Sequence, residues 1–258
     1  MPANVFNKVA PVTVKIICEN GEKEGSGSII GITNEGRALI LTACHVVTTN
    51  FEETDPDIPL EFYQNIKVKI KAEARLLQGR VIEQFIDRDN DLALITTIDP
   101  VSEKRVISYN FSRDLKPGQK VAAIGFPQTG EHTQTVGRII RTEGNYLVFD
   151  AKIATGSSGG PLIDKYGRMI GLSKFILGYD EGYAIHMDLV SSVVNAWLQK
   201  TRLNKKWKRQ KYGKFTHRFY QDPKFIVGEV VIAGALGYNF LRPTEPDLPG
   251  PPGFPDSQ

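Results

Sequence analysis

The chain has 258 residues with 41% apolar and 24% charged content, a formal net charge of +3 and two cysteines. That length and apolar share bury one large core or two small ones, and so few cysteines exclude a small secreted domain built on disulfides. The start, Met1-Pro-Ala-Asn-Val-Phe-Asn-Lys8, holds no apolar signal-peptide core, so the expected compartment is the cytosol, with Cys18 and Cys44 reduced.

Short apolar runs recur along the chain at 14–18, 38–42, 67–70, 92–96, 121–125 and 146–149, separated by Gly, Asn and Asp turn signals. Each predicts a strand. Short strands without helices between them favour closed barrels over a parallel sheet, so the fold class is all-β. The one long helix expected in the first two hundred residues runs from about 189 to 200, where Val190, Val193, Val194, Trp197 and Leu198 form a single apolar stripe.

Three segments carry chemistry, in chain order. Leu39-Ile-Leu-Thr-Ala-Cys-His45-Val-Val47 ends an apolar run on a histidine, and Asp89-Asn-Asp91-Leu-Ala-Leu-Ile95 opens another with a carboxylate. The third is Ala154-Thr-Gly-Ser-Ser-Gly-Gly-Pro-Leu-Ile163. Its glycines permit backbone conformations closed to other residues, so successive N–H groups can converge on an anion beside the Ser158 hydroxyl. A serine is a poor nucleophile until an imidazole takes its proton, and the imidazole needs a carboxylate to fix its tautomer. Each segment alone has an ordinary reading: a core histidine, a turn aspartate, a Gly/Ser loop. The conjunction is far more specific than its members. Cys44 is disfavoured as a rival nucleophile, because it adjoins His45 and successive side chains point apart.

Over roughly residues 5 to 200 the chain resembles a trypsin-like serine protease, and more narrowly the protease domain of the HtrA (DegP) group. The likeness rests on Gly25-Ser-Gly-Ser-Ile-Ile30, Leu41-Thr-Ala-Cys-His45-Val-Val47, Asp91-Leu-Ala-Leu94, Leu115-Lys-Pro-Gly118, Gly156-Ser-Ser-Gly-Gly-Pro-Leu-Ile163, Gly167-Arg-Met-Ile-Gly171 and Gly182-Tyr-Ala-Ile-His-Met187. It implies a chymotrypsin-like double barrel of two six-stranded antiparallel barrels with a C-terminal helix, His45 and Asp91 in the first barrel and Ser158 in the second. It further implies His45 as general base, Asp91 as its orienter, Ser158 as nucleophile, and the N–H groups of Gly156 and Ser158 as oxyanion hole. Lys152, Ile153, Thr155, Ser173 and Phe175 would line the substrate pocket. Ile153 facing inward gives a shallow apolar pocket; Lys152 facing inward would favour acidic residues. No metal or cofactor is implied. Substrates would be proteins or peptides, with a homo-oligomer or a partner protein as further expectations.

The chain also departs from that group. Ser157 stands where trypsin has the aspartate that anchors a cleaved N-terminus, so activation is expected to lie in the loops around Gly156 and 174–179. About sixty residues follow the closing helix, fewer than a PDZ domain needs, so none is expected in this sequence. The expected domains are a protease at 1–200, an extension at 201–241 and a Pro/Gly-rich, mostly disordered tail at 242–258. Residues 200–220 hold nine cations and no acid, interleaved with Trp207, Tyr212, Phe215, Phe219 and Tyr220. Three uses are open: contact with nucleic acid, contact with an anionic membrane, or a clasp on the acidic body. The apolar run 225–241, with Glu229 inside, is short for a bilayer span and is expected to pack on the protease or a partner. Three function classes follow: a serine endopeptidase, a peptide-binding or chaperone-like module on the same fold, and a protease localised by its extension.

Overall fold

The computed structural model describes residues 1, 3–53, 55, 57–110, 114–127, 131–177 and 181–200. The basic and apolar extension and the tail lie outside the described residues. Twelve strands close into two antiparallel barrels. The first comprises β1 (Thr13–Cys18), β2 (Lys23–Ile32), β3 (Ala38–Thr42), β4 (Ile66–Lys69), β5 (Leu77–Asp87) and β6 (Leu92–Thr97), hydrogen-bonded in the order β1-β2-β3-β6-β5-β4. The second comprises β7 (Lys120–Gly125), β8 (Thr133–Glu143), β9 (Tyr146–Phe149), β10 (Pro161–Asp164), β11 (Met169–Leu177) and β12 (Glu181–His186), in the order β10-β11-β12-β9-β8-β7. Pairing of β1 with β4 closes one barrel, and pairing of β7 with β10 closes the other.

Strand alternation divides the apolar residues between two jobs. On β7, Val121 and Ala123 fill the second barrel with Phe149, Leu162 and Ile170, while Ala122 and Ile124 join the large core that extends through the first barrel. The barrels therefore share an apolar seam. The segment linking them reinforces it: Ile107 N donates to Ile29 O on the first barrel, and Asn110 N donates to Met169 O on the second, both at 2.8 Å.

Among the described residues there are also three α-helices: α1 (Ala3–Val9), α2 (Cys44–Val47) and α3 (Met187–Lys200). The closing helix α3 leaves the second barrel and returns to the first. There Trp197 stacks on Phe85 of β5 at a centroid distance of 5.8 Å, and Val190 and Val194 are buried beside it. His45 lies on α2, a single turn, where the sequence pattern had only the end of an apolar run. Both cysteines are free and buried.

Candidate active site

The turn before β6 is built to present Asp91. Asn90 N and Nδ2 donate to the Asp87 carboxylate, Asp91 N donates to Arg88 O, and Asp91 itself takes a left-handed conformation at φ 55°. Aspartate tolerates that region better than most residues. From there Asp91, fully buried, grips the start of α2. Its carbonyl accepts from Cys44 N at 3.2 Å, its Oδ1 accepts from His45 N at 2.9 Å, and its Oδ2 lies 2.8 Å from His45 Nδ1. Val46 and Val47, also buried, hold the turn against the barrel. The carboxylate thus fixes both the main chain and the ring of His45, and with Nδ1 bearing the proton, Nε2 is left as the basic nitrogen. The edge of Phe51 packs near the imidazole at 5.7 Å between centroids.

Ser158 comes from the other barrel, on the loop between β9 and β10. Ser157 N donates to Ala154 O at 2.9 Å, closing a turn with Gly156 at φ 95°, the positive value that this turn position demands. Gly159 follows at φ 82°, packed so tightly that a Cβ there would lie 2.2 Å from Ser26 O and 2.4 Å from Thr42 Oγ1. Two bonds tie the far side of the loop to β11: Gly159 N to Ser173 O at 2.7 Å and Ser173 N to Gly160 O at 2.8 Å.

The residue that joins the halves is Ser26, which sequence reasoning passed over as part of a Gly-Ser-Gly segment. Its N–H donates to Ser158 O at 2.8 Å, and its hydroxyl donates to Gly156 O at 2.7 Å while accepting from Phe126 N at 2.8 Å. Its own carbonyl accepts from Thr42 Oγ1 at 2.7 Å. Every polar group of this buried serine is engaged, so the first barrel holds the Ser158 loop in place.

A cleft of about 380 Å³ opens between the barrels, lined by His45, Phe51, Glu52, Asp91, Ile153, Ala154, Thr155, Ser158 and Lys174. His45, Asp91 and Ser158 therefore share one cavity. The Ser158 hydroxyl donates to Lys174 O at 2.8 Å. Of the expected pocket residues, Ile153 and Thr155 line this cleft. Exposed Lys152 lines a neighbouring cavity of about 210 Å³, which Ile153 also borders. Ser173 is fully buried, and its Oγ has no hydrogen-bond partner among the described residues. The side chain of Phe175 lies outside the described residues. Burial pushes the Cys44 thiol up to about 12, with the Asp91 charge adding to the effect, which leaves no reactive thiolate beside His45 at neutral pH. Among the described residues, no three His, Cys, Asp or Glu side chains gather as a metal site would require.

Comparison with known proteins agrees with this architecture. The chain is 26% identical over 231 residues to the putative protease Do-like 14 of Arabidopsis thaliana, covering 80% of this chain and 50% of that protein. It is 28% identical over 233 residues to the serine protease HTRA3 of Mus musculus, covering 82% and 47%. The chain spans about half the length of these curated relatives. The crystal structure of the serine endoprotease from Yersinia pestis superposes with a TM-score of 0.62 at 27% identity, over 79% of this chain and 70% of that one. The model of the trypsin-like peptidase domain matches residues 25–172, from the strand that presents Ser26 to the strand beyond Ser158. A match that spans more than half of the chain and includes His45, Asp91 and Ser158 makes the chain a member of the trypsin-like peptidase family.

Proposed function

We propose that the protein is a serine endopeptidase that cleaves peptide bonds through an acyl-enzyme. Ser158 Oγ turns from Lys174 O toward His45 Nε2, gives up its proton to the imidazole and attacks the scissile carbonyl carbon. Asp91 holds the imidazole in the tautomer with Nδ1 protonated and stabilises the imidazolium once formed. The oxyanion of the tetrahedral intermediate sits against the N–H groups of Gly156 and Ser158, and the left-handed Gly156 fits that task. His45 then passes the proton to the leaving amine, and a water activated by the same imidazole releases the acyl group.

The observation that carries this reading is the double grip of one buried carboxylate on His45, at backbone N and at Nδ1, in a cleft that also holds Ser158. A binding module has no use for an imidazole oriented in that way. Labelling of the purified protein by a fluorophosphonate probe is the test: Ser158 should be modified, and Ser158→Ala, His45→Ala and Asp91→Ala should each abolish most labelling and casein hydrolysis while the chain stays folded. The losses should not add, since the three act as a unit. Casein hydrolysis by Ser158→Ala at the parental rate would overturn the reading.

The extension at 201–241 has no part in this chemistry. Its composition suits docking to a partner or an anionic surface, and the cytosol suits the thin cysteine usage. Among the described residues, no helix is long and apolar enough to cross a membrane.

A further inference from the structure

We propose that Lys174 is a positioning residue for the Asp91–His45 pair: its ammonium shares the Asp91 carboxylate with the imidazole and thereby sets how strongly that carboxylate can hold the protonated ring. The proposal rests on the protease reading above.

Its basis is a break in strand register. On β11, Ser173 lies opposite Ala184 of β12 and Phe175 lies opposite Tyr183, so Lys174 is the extra residue of a β-bulge between them. A bulge re-aims the side chain it carries. Here it brings Lys174 Nζ to 3.6 Å from Asp91 Oδ2, the same oxygen that lies 2.8 Å from His45 Nδ1. The ammonium is only 17% exposed at the side chain, and the carboxylate is 0% exposed, so water screens the pair weakly. Tyr146 steadies the long stem, with its hydroxyl accepting from Nζ at 3.5 Å and its ring centroid 5.7 Å away. Behind Tyr146, Tyr183 packs edge-on at 6.3 Å, and its hydroxyl meets Glu143 and Arg141. Meanwhile the Lys174 carbonyl accepts the Ser158 hydroxyl. One residue therefore touches the carboxylate through its side chain and the nucleophile through its main chain.

The consequence follows from charge. Asp91 brings one negative charge and Lys174 one positive charge, while the imidazolium adds a second cation only when His45 takes up a proton. Two cations on one oxygen repel, so Lys174 weakens the hold of that carboxylate on the imidazolium. Among the described residues, the other charged groups at the site include Glu52 on the cleft wall, and Asp87 and Arg88 in the turn that presents Asp91. None of them takes the place of Lys174 at Oδ2 in the bonds described.

The test is the rate of fluorophosphonate labelling of Ser158 in the full chain between about pH 5 and 9, which needs no knowledge of the natural substrate. Lys174→Met should move the acidic limb of the profile to higher pH by about half a unit or more, and Lys174→Arg should restore the parental limb. Lys174→Gln, which keeps a polar group against Tyr146, provides a second neutral variant, with thermal unfolding followed by circular dichroism as the check on folding. A limb that stays put in a folded neutral variant, whatever happens to the plateau, overturns the assignment while leaving the protease reading standing. Unfolding of both neutral variants would make Lys174 a structural residue and overturns it equally. A parent chain that is not labelled at Ser158 overturns the protease reading and this inference together.

Discussion

Ser26 of the first barrel donates its hydroxyl to the carbonyl of Gly156 in the second, 2.7 Å away across 130 residues of sequence. That contact makes the geometry of the Ser158 loop a property of the interface between the barrels. Ser26→Ala removes the partner of the Gly156 carbonyl and of Phe126 N–H, both buried, at about 1–3 kcal/mol for each group left unsatisfied. Labelling of Ser158 should slow by about tenfold to a hundredfold through misplacement of the loop. Unfolding measured by calorimetry should shift down by several degrees. Labelling at the parental rate would show that the loop is held by its β11 contacts alone.

Gly159 is the point where the loop comes closest to the first barrel. A Cβ would lie 2.2 Å from Ser26 O, 2.4 Å from Thr42 Oγ1 and 2.9 Å from Ala43 N. Two of those atoms are backbone and cannot swing away, and φ 82° adds its own strain to any side chain. Gly159→Ala should therefore lose Ser158 labelling and unfold at a lower temperature, whereas Gly118→Ala, with φ 83° but open space around it, should lose only stability. Equal labelling by the two variants would refute the role given to close approach.

These two glycine environments bear on what the sequence could reveal. The runs that became β1, β3, β6, β7 and β9 were legible because they are buried almost throughout, which leaves an unbroken apolar signature. Strands β5 and β8, eleven residues each, were not, since exposed Glu83, Gln84 and Arg138 interrupt their pattern and each turns much of its length to solvent. His45, Asp91 and Ser158 stood out because nucleophilic chemistry requires those side chains together. The helix that carries His45 is too short to show a period. Ser26 escaped notice, and Lys174 entered only as the first residue of the 174–179 segment expected to govern activation, for a different reason. A serine between glycines reads as a turn, and a lysine in a strand reads as a solvated side chain. Their meaning comes from contacts between segments far apart in the chain.

Ile153 borders both the cleft that holds Ser158 and the adjoining cavity, while Lys152 is exposed and lines only the latter. An apolar wall predicts preference for Val, Leu or Ala before the scissile bond. A difference of one methylene in such a pocket discriminates by roughly 10- to 200-fold. A peptide library should show that preference, and Ile153→Asp should shift it toward basic residues. A parental profile dominated by Asp or Glu would assign the pocket to Lys152.

The last prediction concerns the segment that links the barrels, which is pinned at Val101 and Ile107, both buried, by bonds to Gly36 and Ile29. Glu103 lies between them with its side chain only 4% exposed, and both of its oxygens accept from Arg105: Oε1 from N and Nε at 2.8 Å, Oε2 from Nη2 at 2.7 Å. The Arg105 hydrogen bonds hold its carboxyl below the ordinary value of 4.5, against the opposing effect of burial. A carboxyl whose value is lower in the folded chain binds protons more tightly when unfolded, so its contribution is fully present above the ordinary value and is lost as pH falls through the folded one. The Arg105 side chain is 61% exposed, and solvent there keeps the contribution modest. Glu103→Gln should consequently lower the unfolding temperature at pH 7, with the gap from the parent closing as pH drops below 4.5. Calorimetric unfolding of the two chains across that range reads the gap directly. A gap that stays constant down to about pH 3 would mean that Glu103 acts through shape and neutral hydrogen bonding, with its charge contributing nothing to the link between the barrels.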